Sequence, residues 1–393
     1  MSAVKEILKK VRANGDNAVL EYNILFDKNN SPEFEVSSEQ IKEAYSKVDK
    51  ETLDALKFAA KNIRAFAKAQ MKQVKSFEVK TNFGVLEQKV IPLSRVGCYV
   101  PGGNYPLPST ALMTVIPAKV AGVKEVIVCS PNIKPVVIVA ANLAGADRIF
   151  NIGGVQAIGA MAYGTKQVPR VDKIVGPGNK YVAEAKKEVY GEVGIDFVAG
   201  PSEVLIVADK TANPNLIAAD MLAQAEHDVN AKANLITTSK EMAEKVKFEL
   251  AKQLAVLETK KIAEQSISKS NFIVVKDLAG AAKLANEFAP EHLEIQAKIK
   301  PKMLDMFYNY GSLFLGEKSA EALGDYCLGP NHTLPTNGAA RYAGGLSVRD
   351  FVKIVTVQNV KKTNKKLISV AAKLAEVEGL MAHKKSAEKR RGF

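Results

Sequence analysis

The chain has 393 residues, a quarter of them charged and about half hydrophobic, with a formal net charge of +13. That is the balance of a globular protein large enough for two or three domains, not of a disordered or fibrous one. No apolar run reaches the roughly 18 residues that cross a bilayer; the longest, 136–146, is interrupted by Asn142.

The lysine-bearing N-terminus lacks the apolar core and cleavage site of a signal peptide. Three scattered cysteines, Cys98, Cys129 and Cys327, argue against a disulfide framework and for a reducing cytoplasm. The positive charge permits nucleic acid, membrane surfaces or anionic ligands. The lysines, however, are spaced as on solvated helix faces, with the densest cluster in the tail from Lys384 to Arg391. Neither zinc-finger spacing, an RNA-binding aromatic signature nor a clear helix-turn-helix is present, so neither nucleic acid nor membrane is the expected partner.

In chain order, residues 1–26 read as two short amphipathic helices broken at Asn14-Gly15-Asp16, the first beginning almost at residue 1. Ser37-x-x-Gln40 is a capping-box signature for a helical region reaching about residue 71. Residues 77–90 alternate around Asn82-Phe83-Gly84, as a hairpin does. From Gly97 helices and strands alternate: helix 112–120, strand 124–130, helix 136–144, strand 147–152, helix 155–163, strand 173–175, helix 179–190, then strands 196–199 and 204–207. This is the pattern of a parallel α/β sheet, whose ligands sit at the carboxyl ends of the strands. Three turns there are glycine-rich: Tyr99-Val-Pro-Gly102-Gly103, Gly153-Gly154-Val-Gln156 and Gly176-Pro-Gly178-Asn179. Each fits either a structural turn or one that brings backbone N–H groups to an anion. The dinucleotide fingerprint G-x-G-x-x-G is absent, and no acidic residue is evident as its ribose partner.

Asn213-Pro214 starts a helix running to about His227, with Asp220, Gln224 and His227 on one stripe. A helix follows at 241–257, then a strand at 272–276. The helical pattern 277–288 is ended by Pro290, which places Glu291 and His292 side by side on a turn where their side chains can converge. After a strand at 312–314, residues 324–336 read as a long loop carrying Asp325 and His332. Residues 367–383 read as a helix with Glu378 and His383 near its end. The chain has only four histidines, His227, His292, His332 and His383, each beside carboxylates, amides or loop residues. Imidazole, carboxylate and amide oxygen together suit zinc or a similar divalent ion. The residues alone therefore point to a metal-assisted α/β enzyme with a possible nucleotide site, and leave its substrate open.

At these motifs the sequence resembles the histidinol dehydrogenase family over nearly its whole length. The resemblance rests on Val96-Gly97-x-Tyr99-Val-Pro-Gly-Gly103, Gly153-Gly-x-Gln156-Ala157, Gly176-Pro-Gly-Asn179, Gly200-Pro-Ser202-Glu203 and Ala223-Gln224-Ala-Glu-His227-Asp228. It continues in Pro290-Glu291-His292-Leu-Glu294, Gly324-Asp325-Tyr326, Gly329-x-Asn331-His332-x-Leu-Pro335-Thr336 and Glu378-Gly379-Leu380-x-Ala-His383.

It implies an α/β fold of two incomplete Rossmann-like, aldehyde-dehydrogenase-like domains plus a small helical C-terminal segment. Residues 1–98 and 203–346 would form the first domain, 99–202 the NAD-binding domain and 347–393 a dimerisation segment. It implies oxidation of L-histidinol to L-histidine through the aldehyde, reducing two NAD, as the last step of histidine biosynthesis. Zinc would be held by Gln224, His227, Asp325 and His383. Those four, with Ser202, His292, His332 and Glu378, would touch substrate; Tyr99, Gln156 and Asn179 would touch NAD. His292 would be the base of both oxidations and Glu291 the activator of water. His383 and Glu378 would complete the partner's site in a homodimer. Two departures stand out: the family usually carries an extension ahead of the first helix, and Cys327-Leu328 stand where small residues are usual. A thiohemiacetal at Cys98 or Cys129 is not favoured, since neither lies beside a base. Other readings are a related dehydrogenase of another amino alcohol and a catalytically silent basic binding protein.

Overall fold

The structure is a computed structural model describing residues 2–102 and 105–391; Gly103 of the first glycine-rich turn lies outside the described residues. Helix α1 (Ala3–Asn14) is capped by Ser2, and α2 (Asp16–Tyr22) continues into a π-turn, Asn23–Asp27. The capping box at Ser37 is formed and opens α3 (Ser38–Ser46). Asp49 caps a separate α4 (Lys50–Met71), so the expected continuous helical region is two helices. β1 (Phe77–Lys80) and β2 (Gly84–Pro92) form the expected hairpin.

Then come β3 (Arg95–Tyr99), α5 (Pro108–Val120), β4 (Glu125–Cys129), α6 (Pro135–Ala144), β5 (Arg148–Phe150), α7 (Gly154–Tyr163), β6 (Lys173–Val175), α8 (Lys180–Val189) and β7 (Gly194–Ile195). They build a parallel sheet of order β5-β4-β3-β6-β7. The last strand is shorter and earlier than the expected 196–199; Asp196 still donates its amide to Ile174, and its side chain binds Lys186 and the Gly176 amide. Helices α1 and α2 cover one face of this sheet with α7 and α8, and α3 and α4 the other with α5 and α6. The apolar faces of residues 1–71 therefore lie on this sheet, although the sequence grouping places residues 1–98 with 203–346.

The second half repeats the plan: β8 (Glu203–Ala208), α9 (Pro214–Ala225), β9 (Lys232–Thr237), α10 (Lys240–Leu254), α11 (Lys260–Ile267), β10 (Phe272–Val274), α12 (Leu278–Phe288), β11 (His292–Gln296), α13 (Pro301–Leu304) and β12 (Ser312–Leu315). Its order, β10-β9-β8-β11-β12, is again all parallel and matches the first sheet strand for strand. In both sheets the first strand lies between the second and the fourth, which is the crossover arrangement of Rossmann-type halves. Strands β9 and β11 and helix α11 were not expected.

Beyond α14 (Glu321–Leu323) and a π-turn, Gly324–Leu328, a long loop leads to β13 (Val352–Val360). This strand pairs antiparallel with β2 along its whole length. The expected C-terminal helix is two, α15 (Lys365–Val377) and α16 (Met381–Glu388), because Gly379 takes positive φ between them. Among the described residues no helix is long and apolar enough to cross a membrane.

Lys186, 2 % exposed on α8, bonds to Asp196 and to the Gly176 carbonyl, fixing the turn after β6. Removing one partner of a buried ion pair strands the other charge, so Lys186→Met is expected to cost about 3–5 kcal/mol. Lys5→Met, which breaks a half-exposed pair with Glu188, is expected to cost under about 1 kcal/mol. Urea denaturation of the two variants measures both.

Candidate active site

The site is built at the amino ends of β8 and β11, the opposite edge from the one at which parallel sheets usually bind ligands. Ala289, in left-handed conformation, ends α12, and Pro290 stops any continuation. The chain then turns so that His292 opens β11, opposite Val204 of β8. Glu291 and His292 do converge, with Nδ1 of His292 3.9 Å from Oε2 of Glu291, but His292 belongs to a strand and not to the turn. Both are buried.

His292 Nδ1 lies 3.3 Å from the Glu203 carbonyl oxygen. That oxygen can only accept, so Nδ1 carries a proton and Nε2 is the working atom. Nε2 lies 3.3 Å from Oδ1 of Asp325. Glu321 Oε1 is 3.8 Å from Nδ1. Burial alone lowers the histidine pKa, but the charges of Glu321, Glu291 and Asp325 outweigh it and hold the pKa well above the ordinary value. Burial raises Glu291 to about 8, against the pull of His292 and of the Glu203 amide, which donates to it at 3.0 Å. Burial also raises Glu321 well above the carboxylate range. For Asp325 burial pushes upward, yet the hydrogen bond and charge of His292, with His332 and His227 beyond, leave it below its ordinary value.

Asp325 and Glu321 are four residues apart across α14 and its π-turn. The α14 amide at Glu321 is capped by Oε1 of Glu294, 3.2 Å away. Glu294 in turn shares Gln296 with Asp220 of α9, at 3.0 Å from each. His332 donates from Nδ1 to the Asp325 carbonyl at 2.8 Å, and its Nε2 is 3.4 Å from Thr110 Oγ1 at the start of α5. This contact joins the second sheet's catalytic edge to the carboxyl edge of the first.

Gln224, in the last turn of α9, is buried with Oε1 unpartnered, and His227 follows it beyond the helix end. Helix α14 packs on α9. Gln224, His227 and Asp325 thus supply an unpartnered amide oxygen, an imidazole and a carboxylate, a donor set that suits a zinc-like ion. His292, Glu321 and Asp325 also have ligand atoms within 4.8 Å of one another. Glu321 approaches Nδ1 and Asp325 Nε2, however, so the acids flank opposite ring edges and one ring nitrogen cannot serve both. Asp220 shares the stripe of Gln224 but is engaged with Gln296. Ser202 lies immediately before β8. His383 is exposed on α16, which buries no residue, and Glu378 is exposed at the end of α15. Neither joins the hydrogen bonds and ion pairs around His292.

At the carboxyl edge of the first sheet, buried Tyr99 accepts the Gly154 amide on its hydroxyl at 3.1 Å. Gln156 is fully buried in the first turn of α7 with Oε1 unpartnered. Asn179 caps α8, accepting from the Tyr181 and Val182 amides. A Cβ on Gly153 would lie 2.2 Å from Pro131, and one on Gly176 2.2 Å from the Tyr99 carbonyl, so both turns admit only glycine. These turns and the open amide of Gln156 suit a dinucleotide. Cys98 and Cys129 are buried and their thiols raised, Cys98 to about 12, so neither is a nucleophile.

A family model described as histidinol dehydrogenase matches residues 1–391. The chain belongs to the histidinol dehydrogenase family. Its histidinol dehydrogenase relative from Aquifex aeolicus is 49 % identical over 97 % of this chain and 90 % of the relative. That from Methanocaldococcus jannaschii is 46 % identical over 99 % and 92 %. The crystal structure of histidinol dehydrogenase from Elizabethkingia anophelis superposes with a TM-score of 0.94 at 39 % identity, covering 98 % of this chain and 91 % of that one. Family membership makes the chain an oxidoreductase.

Sequence reasoning missed Glu321 and the buttress Glu294–Gln296–Asp220. The signal for Glu321 is its i−4 spacing from Asp325, which stacks two carboxylates on one helical face. Burial and the charge of Asp220 raise Glu294 to about 8, from an ordinary 4.5. A folded-state value above the unfolded one gives stability that is full below about pH 4.5 and is lost as pH rises through about 8. Wild-type stability relative to Glu294→Gln is therefore expected to fall between about pH 5 and about pH 8.5. Urea midpoints at the two pH values measure it, and parallel shifts of both proteins contradict it.

Proposed function

We propose that the chain oxidises L-histidinol to L-histidine in two successive hydride transfers through the aldehyde, as the closing step of histidine biosynthesis in the cytoplasm. The observation that carries this reading is His292: its Nδ1 proton is held by the Glu203 carbonyl, and Nε2 lies 3.3 Å from Oδ1 of Asp325. Gln224, His227 and Asp325, with His383 of a second copy, would hold zinc, whose fixed positive charge would orient the substrate's imidazole and amine. Tyr99, Gln156 and Asn179 would hold NAD, which would supply the hydride acceptor for each oxidation.

The neutral His292 ring takes the alcohol proton at Nε2 as the carbinol C–H leaves as hydride. Glu291 takes a proton from water, whose oxygen attacks the aldehyde carbon and gives the gem-diol. His292 again accepts a hydroxyl proton in the second oxidation, leaving the carboxylate. In all, one alcohol, one water and two NAD become one carboxylate, two NADH and three protons. Ser202, His332 and Glu378 position the substrate. Residues 203–346 hold metal and substrate and 99–202 hold the dinucleotide. The segment 347–393, with exposed Val370, Leu374, Val377 and Met381 on its helices, pairs two chains into a homodimer.

Zinc-loaded protein with L-histidinol and NAD is expected to release two NADH per histidinol, followed by absorbance; no NADH from protein of verified zinc content refutes the reading. His292→Ala is expected to slow the first oxidation by about 10²–10⁴. Glu291→Gln should instead accumulate aldehyde after one NADH, and equal loss of both half-reactions contradicts the division of roles.

Mixing His292→Ala chains with His383→Ala chains is expected to restore activity, because the mixed dimer holds one site with an intact core and an intact tail. A mixture no more active than its parts, with mixed dimers verified by mass spectrometry, refutes the shared site.

A further inference from the structure

Dinucleotide-binding sheets usually carry an acid at the carboxyl end of the second strand, where it takes the ribose hydroxyls. In the first sheet that strand is β4, and it ends in Cys129-Ser130-Pro131-Asn132, with no acid. The place is filled from the N-terminal segment. Asn132 donates from Nδ2 to the Asp27 carbonyl at 2.9 Å, and Asn29 donates to the carbonyl of Asn151, just past β5, at 3.3 Å. Residues 27–29 therefore lie across the carboxyl ends of β4 and β5, beside the glycine turn that opens α7.

The side chains there are arranged toward something not supplied by the chain. Gln156 donates from Nε2 to Oδ1 of Asn23 at 3.3 Å and to Oδ2 of Asp27 at 3.4 Å. Gln156 and Asn23 are both fully buried, yet Gln156 Oε1 and Asn23 Nδ2 have no partner. Two orphaned amide atoms in one cluster cost stability unless a ligand completes them. Burial alone governs the acidity of Asp27 and raises it, with no cation offsetting the cost. The backbone there is a π-turn, a form that recurs at functional sites. On the same turn Phe26 stacks on Tyr22 with ring centroids 5.7 Å apart and remains half exposed, leaving a flat apolar wall beside the carboxylate.

We propose that Asp27 accepts the hydroxyls of the adenosine ribose of the dinucleotide and so selects NAD over NADP. This rests on the dinucleotide reading above. The acid that the family's glycine turns lack in sequence is supplied in space by the N-terminal helix pair. A 2′-phosphate would place its charge against the Asp27 carboxylate in a partly buried setting and remove the donor that the carboxylate needs.

The chain contains no tryptophan, so the emission of bound reduced cofactor is read without that background, and no turnover is needed. Wild type is expected to bind NADH about 100-fold or more tighter than NADPH, and about tenfold tighter than 2′-deoxy-NADH. Asp27→Asn, an isosteric change, is expected to weaken NADH by about tenfold, leave 2′-deoxy-NADH within about twofold, and narrow the NADPH gap. Exposed Glu33→Gln should change none of these. Asp27→Asn that binds NADH as wild type does, or that loses NADH and the deoxy analogue equally, overturns the assignment. So does wild type that binds NADH and 2′-deoxy-NADH alike, a result that needs no variant to fold. Wild type that binds neither reduced cofactor overturns the dinucleotide reading itself, and this inference with it.

Discussion

One imidazole surrounded by three acids governs this molecule. Glu291, Glu321 and Asp325 all lie within 4 Å of the His292 ring, in a place from which water is largely excluded. Three carboxylates could not all be buried and ionised together without a cation. Burial accordingly raises Glu291 and Glu321, while Asp325, beside the His292 ring, stays below its ordinary value. The surrounding framework reads as the means of holding this arrangement. The β8–β11 pairing sets the Glu203 carbonyl under Nδ1, Glu294 fixes the start of α14, and the π-turn swings Asp325 back to Nε2.

The two sheets share one strand order but offer opposite edges. The first presents its carboxyl edge, where glycine turns follow β3, β5 and β6. The second presents its amino edge, where Ser202, Glu291 and His292 stand. The Thr110–His332 contact and the bond from Asn331 to the Met113 carbonyl tie these edges together. Groups that the two sheets position are thereby held close together on a framework of strands and helix starts.

Much of this was legible in the sequence because local chemistry agreed with the fold. The Ser37 capping box, the Asn213-Pro214 start and the Asn82-Phe83-Gly84 hairpin form as read, and so does the alternating pattern after Gly97 except for its strand at 196–199, which is displaced to Gly194–Ile195. What escaped was set by distant partners. β11 carries Glu294 and Gln296 at buried positions, so its sequence lacks an apolar period; only Asp220 and the α14 amide make those residues tolerable inside. β13 is largely exposed and becomes a strand because β2 lies beside it. The pair Glu291–His292 was visible as a dipeptide, but its environment, and Glu321 in particular, comes from a segment thirty residues later. No spacing rule links the two.

The pairing of β2 with β13 also fixes an order of events. Residues 84–92 leave the ribosome long before residues 352–360, so the three-stranded sheet is closed only when synthesis is nearly complete. Both parallel sheets can be finished by then. The arm that bears Glu378 and His383 is thus the last part of the chain to find its place, and an exposed hairpin must wait for it. A growing chain can organise both sheet cores before this last pairing is made.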